Sequence, residues 1–123
     1  MKAAHYLVTG GAGFIGSHLV DALVAQGARV TVLDDLSSGH ARNLHPAAGF
    51  VQGDIRDQAL LAKIGEGEID GIFHLAAIAS VQRSIEEPQV TKDVNLTGTV
   101  YLMNLARQCD VPIVYTSSAA IYG

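Results

Sequence analysis

The segment Tyr6-Leu7-Val8-Thr9-Gly10-Gly11-Ala12-Gly13-Phe14-Ile15-Gly16 constrains this chain more than any other. An apolar run of strand length ends in glycines at positions 10, 13 and 16, and a helical pattern follows at once through Ile15, Leu19, Val20, Ala22 and Leu23. A strand, a tight turn and a helix start in that order gather backbone N–H groups that have no intrahelical partner, with the positive end of the helix dipole behind them. A phosphate can bind there without a cationic side chain. Gly10 permits a sharp turn, Gly13 leaves room for a pyrophosphate against the backbone, and Gly16 lets the helix pack closely on the sheet.

Glycines at this spacing also occur in ordinary strand-to-helix loops, so context carries the reading. A second strand, residues 29–33, follows and ends in Asp34, eighteen residues after Gly16. A dinucleotide-binding fold needs a carboxylate near that place to accept hydrogen bonds from the adenosine ribose hydroxyls.

The rest of the chain continues the alternation. Strands are expected over 5–9, 29–33, 50–53, 71–76 and 112–117, the first apolar enough to be buried on both faces. Helices are expected over 14–26 with Gly27 as the stop, from Asp57 as N-cap to about Ile64, in a short polar stretch before Pro88, and over 90–108. The stretch up to Ala48 reads as loop or short helix. No hairpin signal joins neighbouring strands, so the sheet should be parallel with right-handed crossovers. The fold class is α/β, a Rossmann-type sheet of order 3-2-1-4-5 with helices on both faces. Its crevice, at the carboxyl ends of strands 1 and 4, would collect Gly10 to Gly16, Asp34, Asp54, Ala76 and Ser118.

A chain of 123 residues, half of them hydrophobic and few charged, reads as one domain with a real core, though short for an enzyme that must also hold a substrate. The net charge of −4 offers no basic face for nucleic acid or an anionic membrane. The single cysteine, Cys109, excludes an internal disulfide and any multi-cysteine zinc site, and it reads as inert at the end of a helix. With no signal-peptide pattern and no stretch long enough to span a bilayer, a cytoplasmic protein is expected.

Six blocks, in order and spacing, resemble the extended short-chain dehydrogenase/reductases that act on nucleotide sugars. They are Thr9 to Gly16, Leu33-Asp34-Asp35-Leu36, Gly53-Asp54-Ile55-Arg56, His74-Leu75-Ala76-Ala77, Val94-Asn95-Leu96-Thr97-Gly98-Thr99, and Thr116 to Gly123. UDP-glucose 4-epimerases and dTDP-glucose 4,6-dehydratases are the nearest branches. The resemblance runs through this whole chain and corresponds to the N-terminal part of a family member. It implies NAD as cofactor, with Gly10, Gly13 and Gly16 around the pyrophosphate and Phe14 and Ile15 presenting amides. It further implies Asp34 on the ribose, Asp54 and Ile55 at the adenine edge, Leu75, Ala76 and Ala77 beside the pyrophosphate and nicotinamide ribose, and Asn95 against the active-site strands. Ser118 would be the catalytic hydroxyl on the sugar oxygen. In that family a hydride leaves sugar C4 to give a 4-keto intermediate.

Two departures matter. The family's base, a Tyr-x-x-x-Lys tyrosine, is absent: Tyr6, Tyr101 and Tyr115 are followed four places on by Gly10, Leu105 and Ala119, and Tyr122 stands too near the last residue. General acid–base catalysis is worth ~10²–10⁴-fold, so the isolated chain is expected to be inactive. Ala79 stands where many 4-epimerases carry lysine, which tilts the reading toward the dehydratases or related epimerases. A non-catalytic dinucleotide-binding module is the competing function, and a nucleotide-sugar substrate is expected only in a complete enzyme.

Other residues have plainer readings. His74 reads as a satisfied core histidine, since no second ligand stands at metal spacing, and His5, His18, His40 and His45 as surface or loop residues. Ser118 lacks the Gly-x-Ser-x-Gly frame of a hydrolase nucleophile. With no strand beyond the fifth, that strand is expected to present an unpaired edge through which the chain forms a homo-oligomer.

Overall fold

The structure is a computed structural model that describes residues 3–11, 14–36, 41–75 and 96–115. Five strands, β1 (His5–Thr9), β2 (Arg29–Asp34), β3 (Gly49–Gln52), β4 (Gly71–His74) and β5 (Ile113–Tyr115), form one sheet. Among the described residues the helices are α1 (Phe14–Ala25), α2 (Gln58–Gly65) and α3 (Gly98–Cys109), with a 3-10 turn at Ala41–Asn43 in the stretch read as loop or short helix. All pairings are parallel and the order is β3-β2-β1-β4-β5, as the alternation predicts. The chain therefore moves outward from β1 on one side, then returns to build β4 and β5 on the other.

Side-chain alternation along β1 decides which layer each residue serves. Val8 belongs to a cluster with Val20 and Leu23 of α1 and Val30 and Val32 of β2. Leu7, its neighbour, belongs to the opposite layer with Leu61 of α2, Leu102 and Leu105 of α3, and Leu33, Ile55, Ile69 and Ile72. Leu7 and Val8 are both fully buried, so β1 is covered on both faces, which is why its sequence is almost continuously apolar. Each such side chain contributes about 1.5–3 kcal/mol through burial, enough to fix the register, because a one-residue slip would exchange the two layers.

Helix ends follow their local chemistry. Gly27 leaves α1 at a φ of 88°, and its N–H donates to the Val24 carbonyl at 2.9 Å. Asp57 caps α2, its carboxylate accepting from the Leu60 N–H at 3.1 Å. Asp110 ends α3 in the left-handed region without a glycine, a stop the sequence reading did not anticipate. Thr97 already has helical dihedrals ahead of Gly98; residues 90–95 of the expected long helix, and the expected helix before Pro88, lie outside the described residues.

His5 departs from the sequence reading. It is 6% exposed within β1 rather than a surface residue. One ring nitrogen, Nδ1, donates to the Gly67 carbonyl at 3.2 Å, and Nε2 shares a hydrogen bond with Thr31 Oγ1 at 2.7 Å. Its backbone N–H donates to Asp70 Oδ2 at 2.8 Å. These partners lie far away in sequence, so no local pattern signals the burial. His18 is exposed, His45 is half-buried, and His40 is outside the described residues.

Candidate functional site

The parallel arrangement brings all strand carboxyl ends to one edge, and main-chain hydrogen bonds continue past the strands to join the loops that leave them. Gly10 N–H donates to the Leu33 carbonyl at 2.9 Å, Gly53 N–H to the Asp34 carbonyl at 3.1 Å, and Leu75 N–H to the Thr9 carbonyl at 3.0 Å. The glycine turn after β1, the acidic end of β2, the loop after β3 and the exit of β4 thus form one continuous rim. The rim lies where the strand order reverses between β1 and β4, the usual place for a ligand crevice in such a sheet.

The glycine turn is tight for identifiable reasons. Gly10 has a φ of 75°, which a side chain there would oppose. A β-carbon on Gly16 would overlap the Gly10 carbonyl and lie 2.9 Å from Gly11 Cα, so this glycine lets the helix close on the turn itself rather than on the sheet. Gly11, which the sequence reading did not single out, is equally constrained: a β-carbon would lie 2.7 Å from Val32 Cγ1 and 3.3 Å from Val20 Cγ2. Phe14 is the first residue of α1 and Ile15 the second, with the Ile15 side chain 68% exposed. First-turn amides have no intrahelical partner, so these two residues offer backbone N–H groups at the turn.

Asp34 closes β2 and is 7% exposed. One carboxylate oxygen, Oδ1, accepts from the Leu36 N–H at 2.7 Å, a local turn in which Leu36 takes a φ of 62°. Asp54 sits in the loop after β3. Its Oδ1 accepts from the Arg56 N–H at 2.8 Å and Nε at 2.9 Å, and Oδ2 accepts from Nε at 3.0 Å and Nη2 at 2.5 Å. The Arg56 hydrogen bond, opposed by partial burial and aided by its charge, holds the Asp54 carboxyl below the usual carboxylate range. Ile55 is 4% exposed, its side chain committed to the core beneath α3, so at the crevice it can present only backbone.

His74 ends β4 opposite Thr9, and the pair are in register. His74 Nδ1 shares a hydrogen bond with Thr9 Oγ1 at 2.7 Å, and Nε2 shares one with Thr99 Oγ1 at 2.9 Å on the first turn of α3. Burial drives the imidazole pKa down from 6.5 to about 4, so the ring is neutral at pH 7. The satisfied core histidine read from the sequence is what the structure contains. The two threonines were not anticipated, although the expected neighbouring of strands 1 and 4 would have placed Thr9 and His74 side by side.

Of the residues read from sequence, Gly10, Phe14, Ile15, Gly16, Asp34, Asp54, Ile55 and Leu75 lie on or next to this rim. Gly13, Ala76, Ala77, Asn95 and Ser118 lie outside the described residues. Among the described residues no group of three or more His, Cys, Asp or Glu side chains could hold a metal ion, and no helix is long and apolar enough to cross a membrane. Also among them, β5 pairs only with β4, with Val114 55% exposed.

Comparison with known proteins agrees with this architecture. The UDP-glucose 4-epimerase of Mycolicibacterium smegmatis is 50% identical over 124 residues, covering 95% of this chain and 40% of the relative. The crystal structure of a Thermotoga maritima UDP-glucose 4-epimerase with UDP-glucose superposes with a TM-score of 0.90 at 40% identity, covering 92% of this chain and 37% of that one. A Brucella ovis UDP-glucose 4-epimerase in complex with NAD gives 0.89 at 40% identity, covering 98% and 38%. The chain thus spans about two fifths of the length of these relatives. These relatives are epimerases rather than dehydratases. The family described as NAD dependent epimerase/dehydratase matches residues 6–123, and the chain belongs to that family.

Proposed function

We propose that this chain is the NAD-binding part of a nucleotide-sugar 4-epimerase of the UDP-glucose 4-epimerase type. The observation that carries the reading is the hydrogen bond from Gly10 N–H to the Leu33 carbonyl, which seats the glycine turn beside the Asp34 carboxylate. A dinucleotide needs those two features together, one for its pyrophosphate and one for its adenosine ribose. The residues present fit it: a β-carbon on Gly11 would meet Val32 and one on Gly16 would meet the Gly10 carbonyl, so the turn is drawn in closely, which supports an approach of the ligand to its backbone.

In this reading Gly10, Gly13 and Gly16, with the amides of Phe14 and Ile15, hold the pyrophosphate. Asp34 accepts from the ribose hydroxyls, and the Asp54–Ile55 segment borders the adenine. Leu75, Ala76, Ala77 and Asn95 line the path toward the nicotinamide, and Ser118 donates to or accepts from the sugar oxygen. NAD, when bound, supplies the hydride acceptor. The nucleotide-sugar site belongs to the complete enzyme, a cytoplasmic metabolic protein, and the 123 residues alone do not turn over because they lack Tyr-x-x-x-Lys. A dinucleotide-binding module without catalysis is the second reading.

Titration with NADH, followed by its fluorescence, tests the binding claim; saturable uptake is expected, and no uptake by folded protein refutes it. An assay with UDP-glucose tests the expected inactivity: steady turnover that disappears in Ser118→Ala would contradict it.

A further inference from the structure

We propose that Thr99, acting through His74 and Thr9, is a positioning residue for the crevice: the three side chains bridge α3 to β4 and β1 and set where the Leu75 amide and the glycine turn lie. The proposal rests on the dinucleotide reading above. Its basis is the double use of the Thr9 hydroxyl. Leu75 N–H donates both to the Thr9 carbonyl and to Thr9 Oγ1, each at 3.0 Å, so the amide that opens the Leu75-Ala76-Ala77 segment is steered by that hydroxyl. His74 Nδ1 fixes the hydroxyl from the other side at 2.7 Å, and Thr99 Oγ1 fixes the far end of the ring at 2.9 Å. An imidazole tied at both nitrogens cannot rotate to follow either neighbour alone, and here it is 4% exposed beside a fully buried Thr9.

The first turn of α3 reaches the opposite side of the crevice as well. Gly98, adjacent to Thr99, packs so closely on Ile55 that a β-carbon would overlap that side chain, and Ile55 follows Asp54 directly. One turn of helix therefore touches the lip at β1 and β4 through hydrogen bonds and the lip after β3 through packing. Thr9, the end of the bridge nearest the turn, precedes Gly10, whose own amide is fixed to Leu33. Loss of the Thr99 hydroxyl would leave a buried ring nitrogen without this partner, and the ring would relax toward another, carrying Thr9 with it.

A bridge that merely satisfied a buried histidine would affect stability and nothing else. NADH titrations of the parent chain, Thr99→Val and Thr99→Ser, at a temperature where circular dichroism shows each folded, separate the two roles. Thr99→Val is expected to bind NADH about tenfold more weakly and Thr99→Ser within about twofold of the parent. A folded Thr99→Val that binds like the parent overturns the proposal. If that variant does not fold, Thr9→Val/His74→Leu/Thr99→Val removes all the polar groups together, which can be nearly neutral for stability. The triple variant is expected to bind about tenfold more weakly, and parent-like binding again overturns the proposal. In the parent itself, long-range ¹H–¹⁵N spectra are expected to show the His74 ring resonances shifting as NADH saturates; unmoved resonances overturn it. A folded parent that takes up no NADH refutes the dinucleotide reading and this proposal with it, whereas a binding parent with an equally binding Thr99→Val refutes only the bridge.

Discussion

Gly98 lies over Ile55 with no space for a side chain: a β-carbon on the glycine would overlap both Cδ1 and Cγ1 of the isoleucine. Glycine inside a helix ordinarily weakens it by about 1 kcal/mol relative to alanine. Here contact outweighs propensity, because Ile55 is buried, branched at Cβ and held by the α2 and α3 layer. Gly98→Ala is expected to destabilise the fold by about 1–3 kcal/mol, the range for overpacking. Urea unfolding measures it. In the double variant with Ile55→Val the loss should be smaller than the sum of the single losses, and strict additivity would mean that the two residues do not meet.

The glycine turn separates two kinds of constraint. At Gly16 an added methyl would strike backbone that has nowhere to go, whereas at Gly27 nothing lies within 4 Å and only the φ of 88° opposes a side chain. Gly27→Ala should therefore cost about 1 kcal/mol or somewhat more and leave NADH uptake unchanged. Gly16→Ala should open the turn and abolish uptake at concentrations that saturate the parent. Equal NADH affinity in the two variants would contradict the packing seen around Gly16.

Acid should weaken the fold through His74. Its pKa is about 4 in the folded chain and near 6.5 when exposed, so between those values the unfolded state binds the extra proton. The stability due to the neutral ring is fully present above pH 6.5 and is lost as pH falls toward 4, at up to about 1.4 kcal/mol per pH unit and roughly 3 kcal/mol in all. Asp54 adds its own loss only below the ordinary carboxylate range, since its folded pKa is lowered. Urea midpoints from pH 7.5 to 4 should fall steeply in the parent and much less in His74→Gln; parallel curves would place the titration elsewhere.

Cofactor choice should follow the charge at the end of β2. Asp34 is nearly buried and already uses one oxygen to hold the Leu36 amide, so it cannot swing away from a 2′-phosphate. The like charge should make NADP bind at least tenfold more weakly than NAD. Competition of each against bound NADH measures the ratio, and equal displacement would remove Asp34 from the ribose site.

How much of this could be read in the sequence depended on the distance between partners. The strand order was legible because Leu7-Val8, Val30-Thr31-Val32-Leu33 and Ile72-Phe73 are apolar runs separated by helical patterns, and parallel crossovers have one hand. Gly10, Gly16 and Asp34 were legible because a turn and a strand end are local events. Gly11 was hidden, since its neighbours Val32 and Val20 become neighbours only after the sheet and α1 have packed. His5 was misread for the same reason: the groups that satisfy its ring lie 26 and 62 residues away. Thr99 stood only as one residue of the Val94–Thr99 block inside the expected helix over 90–108, and only the tertiary fold sets its hydroxyl against His74.

The three hydrogen bonds that extend the sheet past its strands, from Gly10, Gly53 and Leu75, use main-chain atoms on both sides. A substitution at Leu33, Asp34 or Thr9 can alter what the rim says to a ligand, yet it leaves those carbonyls in place. The frame and its vocabulary are thus inherited separately, and selection can exchange one ligand preference for another residue by residue without rebuilding the opening through which the ligand enters.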